Sequence, residues 1–167
     1  MISMISGIAE ELGPNYAVVN VNGVGYKLFV TTDTLHGLKT NRPLKMWTYL
    51  AVREDALDLY GFIRKNDREF FELLISVSGI GPKSALNILS LASAETLTGA
   101  IRAGSTAHLI KISGIGKKTA EKIVLELKDK VGSLRSNATS AESAGMASDI
   151  DAIEALRALG YDADESR

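Results

Sequence analysis

The chain has 167 residues, 46% hydrophobic and 23% charged, a balance that suits a folded protein and argues against wholesale disorder. It has no cysteine, which excludes disulfides, Cys-ligated zinc and thiol catalysis and fits a reducing cytoplasm. The formal net charge of −1 hides a gradient: residues 1–64 carry six basic and six acidic side chains, residues 65–135 eleven and seven, and residues 136–167 two and seven. A basic middle block of this kind suits a polyanion, although a solvated helical surface would look the same.

The opening "MISMISGIAEEL" has no basic n-region and soon turns acidic, so a signal peptide is not expected. No apolar run approaches the ~18 residues of a membrane span. A cytoplasmic protein without membrane contact is the expectation. Residues 1–64 read as β: "ISMISGIAEE", "NYAVVNV", "GYKLFVT", "LKMWTYLAV" and "ALDLYGF" are rich in β-branched and aromatic residues. Turn signals separate them at Gly13-Pro14-Asn15, Asn22-Gly23 and Arg53-Glu54-Asp55. Alternation predicts Leu44, Met46, Thr48, Leu50 and Val52 on one face of the fourth strand. A short helical turn is expected between strands three and four. Five short strands suggest a small OB-like barrel, with an open sandwich as the alternative.

Residues 65–134 switch to helical periodicity. Phe70, Phe71, Leu74 and Val77 precede "SGIGPKSA" at 78–85, and Ala85, Ile88 and Leu89 follow on one stripe. Ser93 is a fitting N-cap for a connector helix ending at Gly104. "STAHLIKI" leads to "SGIGKKTA" at 113–120, and Ala120, Ile123, Val124, Leu127 and Val131 make an amphipathic helix. Two near-identical octapeptides 35 residues apart mark an internal duplication, helix–SGIG–helix twice over. Residues 135–148 read as a flexible linker of small and polar residues. Residues 149–167 offer one helix, capped by Asp149 and stopped at Gly160, as the start of a third small domain that ends partway.

Three readings compete for the Gly-x-Gly turn. A phosphate loop requires Gly-x4-Gly-Lys-[Ser/Thr], but Lys111 stands at the first glycine position and Lys118 at the last. A dinucleotide fingerprint requires a third glycine where Ser84 and Thr119 stand, and a preceding strand where helices are expected. The second reading is a structural hairpin whose glycines allow positive φ. The third is a DNA-binding helix-hairpin-helix. The turn is narrow enough for a phosphate to reach main-chain N–H groups, and the next helix presents its orphan N–H groups and positive dipole end. Pro82 suits the first helical position. Ile80 and Ile115 can plug the turn into the core. Lys83, Lys117 and Lys118 add charge, and Lys122, one turn later, extends the footprint. Such contacts grip backbone and do not read sequence.

Other residues carry weaker signals. Glu54 and Asp55, with Asp58 close by, fit either a solvated hairpin tip or a charged device aimed at DNA. A metal-dependent nuclease would need carboxylates converging from several elements, which the sequence does not offer. A glycosylase-type hairpin protein would use an Asp after the hairpin, and none lies between Asp67 and Asp129. An RNA-binding OB protein remains a further alternative. His36 and His108 are isolated, and Trp47 and Tyr49 suit sheet packing better than base stacking. No catalytic or metal-ligating set emerges.

"NGVGYKL", "AVREDALDLYGF", "SGIGPKSALNILS" and "SGIGKKTAEKIVLELKDK" stand in the order seen in the bacterial RuvA family, which this sequence resembles over residues 1–134. The resemblance implies a multi-domain α+β protein: OB barrel (1–64), all-α tandem helix-hairpin-helix domain (65–134), flexible linker (135–148) and the start of a three-helix, UBA-like C-terminal domain (149–167). It implies a non-catalytic, cofactor-free scaffold for four-way (Holliday) junction DNA in recombination, repair and the SOS response. It also implies a homotetramer, or an octamer on DNA. The implied partners are the hexameric RuvB ATPase, which uses the ATP, and the RuvC resolvase. Carried over, the backbone-binding set is Gly79, Gly81, Lys83 and Ser84, then Gly114, Gly116, Lys117, Lys118 and Lys122. Glu54 and Asp55 match the family's acidic pin, and Leu159 and Tyr161 the start of the motor-contact surface. Family members continue through two more helices beyond the point that Leu159 and Tyr161 match.

Overall fold

The computed structural model describes residues 1–131, which form one compact unit; the linker and third-domain expectations, with Leu159 and Tyr161, lie outside the described residues. Five strands come first: β1 (Met4–Leu12), β2 (Tyr16–Val21), β3 (Val24–Phe29), β4 (Pro43–Val52) and β5 (Leu57–Phe62). They close into a barrel in the order β1-β2-β3-β5-β4, which is the OB-like solution and not the open sandwich. Closure depends on β1 serving two partners. Its first half, Met4 to Ile8, pairs with β4, and its second half, Ile8 to Leu12, pairs with β2. Between them the backbone of β2 comes so close that a Cβ on Gly7 would lie 2.1 Å from the Asn20 carbonyl oxygen. The β2–β3 turn is the Asn22-Gly23 pair, both at positive φ (53° and 90°), as that dipeptide between alternating strands requires.

Alternate residues fill the barrel: Ile5, Val19, Leu28, Val30, Met46 and Leu59 are all buried in one cluster. Each contributes about 1.5–3 kcal/mol by leaving water. Thr48 is the polar member of the inward face, and its hydroxyl donates to the Ile2 carbonyl at 2.8 Å, so burial leaves no orphan group. Val52 departs from the expected pattern. It is 68% exposed, because β4 leaves the barrel wall there and runs out into the hairpin tip, beyond the reach of the core.

The six helices among the described residues follow the same logic. The short α1 (Thr32–Gly37) lies between β3 and β4, capped by the Thr31 hydroxyl, which accepts from Thr34 N–H. Then come α2 (Lys65–Ile75), α3 (Pro82–Leu91), α4 (Ala94–Arg102), α5 (Thr106–Ser113) and α6 (Lys117–Leu127). Pairs α2–α3 and α5–α6 are the two duplicated hairpins and α4 is the connector, begun by Ser93, whose hydroxyl accepts from Thr96 N–H. Leu74, Val77, Ile80, Leu97, Ile101, Leu109, Ile123 and Leu127 form the helical core.

An aromatic stack joins barrel to helices. The Phe71 ring of α2 meets Tyr49, Tyr60 and Phe62 of the barrel at centroid separations of 5.4, 5.3 and 4.9 Å. Aromatic pairs in this range add about 0.5–1.5 kcal/mol beyond their burial. Arg64, between β5 and α2, forks to Asp67 (2.8 Å) and to Glu95 on α4 (2.7 Å). The barrel thereby holds the first hairpin in a set orientation.

Candidate nucleic-acid interface

The two signature turns fold alike at the residues that matter. Gly79 and Gly114 hold φ +91° and +64°, the left-handed region that a side chain disfavours. Gly114 closes α5 there, its N–H donating to the Ile110 carbonyl. Gly81 and Gly116 are both extended N-caps, at φ −87°, ψ 169° and φ −70°, ψ 158°. Any residue adopts that backbone, and a Cβ added at either position would meet nothing within 4 Å. The fold therefore does not need these two glycines. What they leave open is the first turn of α3 and of α6, where no side chain caps the helix. Helices α1, α4 and α5 differ, since Thr31, Ser93 and Ser105 fill the same position with their own oxygens. The orphan N–H groups of α3 begin at Lys83 and Ser84, because Pro82 has none; those of α6 begin at Lys117 and Lys118.

The plugs differ between the copies. Ile80 is 5% exposed, whereas Ile115 is half-buried. Ser113 lies inside α5, buried, its hydroxyl donating to the Leu109 carbonyl at 2.6 Å; its counterpart Ser78 is exposed because α2 stops at Ile75. The near-identical octapeptides thus share their glycine geometry but not their approach. Around the openings, Lys83, Lys117, Lys118 and Lys122 are exposed or nearly so. Lys117 is loosely held by Glu121 at 3.9 Å.

Glu54 and Asp55 are exposed at the tip between β4 and β5, in a turn closed by Arg53 N–H donating to the Ala56 carbonyl at 2.9 Å. Below the tip, the Arg53 guanidinium meets the Asp58 carboxylate at 2.7 Å. A cleft of about 360 Å³ runs from this pair to the first signature turn, lined among others by Arg53, Asp58, Gly81, Lys83 and Ser84. The base of the hairpin that carries the acidic tip and the first helix opening thus share one cleft. The Arg53–Asp58 pair was not foreseen, although opposite charges five residues apart across a hairpin turn are its sequence signal. Trp47 is half-buried with Lys45 near its ring, Tyr49 packs on Phe71, and His36 and His108 are exposed on α1 and α5. Among the described residues no three His, Asp or Glu side chains come together in a metal-binding group. No helix among them is long and apolar enough to cross a membrane.

The family model for the RuvA N-terminal domain matches residues 1–61, and that for a SAM-like helix-hairpin-helix tandem matches residues 71–129. A curated relative from Caldanaerobacter subterraneus subsp. tengcongensis is 44% identical over 167 residues, covering 99% of this chain and 87% of its own. The chain belongs to the RuvA family. RuvA relatives from Syntrophotalea carbinolica (43% identical, 100% of this chain and 86% of the relative) and Dehalococcoides mccartyi (44%, 99% and 85%) agree. All three are named "Holliday junction branch migration complex subunit RuvA". The barrel and hairpin tandem inferred from the sequence are therefore RuvA-family domains.

Proposed function

We propose that this chain is the junction-binding scaffold of a branch-migration complex, gripping four-way junction DNA by its phosphates and catalysing nothing itself. The observation that carries this is the pair of glycine-capped, side-chain-free helix openings at Gly81 and Gly116, each beside lysines. An opening with orphan N–H groups and a positive dipole end is complementary to one phosphate. Two of them in one domain suit the two strands of a duplex arm. The grips comprise Gly79, Gly81, Lys83 and Ser84 in the first hairpin and Gly114, Gly116, Lys117, Lys118 and Lys122 in the second. Four copies in a ring would serve four arms.

In this reading Glu54 and Asp55 form an acidic pin at the crossover. Two charges ~10 Å apart in water interact by only about 0.4 kcal/mol, and salt lowers this further. A base-pair step is worth about 1.4 kcal/mol. The pin therefore steers strands and keeps the crossover open, and cannot drive migration. Migration breaks one pair as it makes another, so direction comes from a motor. The RuvB ATPase is the proposed motor, engaged through Leu159 and Tyr161 in the third domain, and the RuvC resolvase a further partner. The division at 64, 134 and 148, the tetramer or octamer and the cofactor-free, cytoplasmic setting belong to the same proposal.

The test is competition. Labelled four-way junction bound to the purified chain is challenged with unlabelled junction or with linear duplex of equal length. Displacement by junction at much lower concentration is expected, and equal displacement by both would sink the reading. Strand scission with magnesium, abolished by Glu54→Gln or Asp55→Asn, would replace it with a nuclease.

A further inference from the structure

The hairpin that bears Glu54 and Asp55 also bears a cation that ought to weaken it. Arg53 precedes them directly, and its side chain is half-exposed. A guanidinium free at this place would fold over the neighbouring carboxylates or add itself to a DNA phosphate on the first grip, whose Gly81 and Lys83 line the same cleft. It does neither. Asp58 lies across the ladder from Ala51, two residues before Arg53 on the same face, so the two charges form a diagonal cross-strand pair. Arg53 Nη2 donates to Asp58 Oδ2 at 2.7 Å, and the Asp58 side chain is only 17% exposed. Tyr60, two residues on from Asp58 in β5, lines the same cleft as Arg53 and Asp58, and its phenol is pushed up by burial and by Asp58 and drawn down by Arg53.

We propose that Asp58 is a positioning residue for the acidic tip: it clasps Arg53 back against the barrel, so that Glu54 and Asp55 face the DNA unneutralised and on a turn pinned from below. The clasp cancels one positive with one negative charge, leaving the two tip carboxylates as the net charge of the hairpin. This rests on the reading of Glu54 and Asp55 as the pin, and extends it to residues that touch no DNA.

The experiment places 2-aminopurine beside the crossover of a four-way junction and records the fluorescence rise as the full chain opens the stack. Four variants are compared with the parent: Glu54→Gln/Asp55→Asn, Asp58→Asn, Arg53→Gln, and Arg53→Gln/Asp58→Asn. The tip double variant should lose most of the rise. If it keeps the rise, the pin reading fails and the clasp with it. Given that loss, Asp58→Asn should lose at least half of the rise while its junction affinity increases by about two- to fivefold, as a freed surface cation would give. Removing that cation as well, in Arg53→Gln/Asp58→Asn, should restore the rise, and Arg53→Gln alone should keep it. A merely structural pair predicts the opposite order, with the double variant at least as poor as Asp58→Asn. The clasp is overturned, with the pin reading intact, if Asp58→Asn opens the junction like the parent, binds it more weakly, or is not rescued by Arg53→Gln.

Discussion

Gly81 and Gly116 stand 35 residues apart and hold the same extended N-cap backbone, each with empty space where a side chain would go. Gly79 and Gly114, two residues earlier, hold positive φ instead. The four glycines therefore divide into two that the turn requires and two that the fold leaves open for something outside it.

This division makes a prediction about alanine. Gly81→Ala and Gly116→Ala should change stability by no more than about 0.5 kcal/mol, because the weaker N-cap is offset by a less flexible unfolded chain. Their junction affinity should nevertheless fall. Gly79→Ala and Gly114→Ala should each cost about 1–2 kcal/mol from left-handed strain. Thermal melting beside a binding titration checks both. Equal destabilisation at all four positions would contradict the division.

The lysines are not equivalent. Lys118→Ala should weaken binding and lower the slope of log K against log salt by about one unit, the value of one phosphate contact. Glu121→Gln frees Lys117 from a weak, exposed pair and should raise affinity by about twofold. Titrations at several salt concentrations measure both. An unchanged slope in Lys118→Ala would remove Lys118 from the grip.

Phe71 ties the helices to the barrel through three rings. Phe71→Ala should cost about 3–5 kcal/mol, from lost burial and the cavity left behind. Chemical denaturation reads this directly. A loss under about 1 kcal/mol would mean that the ring contacts are incidental.

Glu95 gives a pH dependence of known sign. Burial alone would push its carboxyl up, but its own backbone N–H, the Arg64 guanidinium and the Ser93 hydroxyl hold it below the ordinary value of 4.5. The unfolded chain therefore binds the proton more readily than the folded one. Stability from this group is complete above the ordinary carboxylate range and is lost as pH falls through the folded value. The melting-temperature gap between the parent and Glu95→Gln should be constant near neutral pH and close on acidification. A gap that widens in acid would reverse the assignment.

Strand alternation and turn residues were legible in the sequence because each acts within a few residues: the Asn22-Gly23 turn, the Ser93 cap and the α6 stripe are local facts. The duplication made the two grips legible as well. Val52 was misplaced because alternation says which way a side chain points and not whether a core lies there. The Phe71 stack depends on how the barrel meets α2, which the chain does not declare locally, whereas the Arg53–Asp58 clasp has a local signal, opposite charges across a hairpin turn, and the β4–β5 register makes them partners. Why Ser113 is buried while Ser78 is exposed follows from where α2 ends, at Ile75, three residues before a signature that is otherwise repeated almost letter for letter.

The central claim is that each chain grips both strands of an arm, one strand per glycine-capped helix. Phosphate-ethylation interference on a four-way junction tests it most directly. Two clusters of essential phosphates per arm are predicted, one on each strand, with Gly81→Ala erasing one cluster and Gly116→Ala the other. A single cluster per arm, indifferent to both substitutions, would contradict the account.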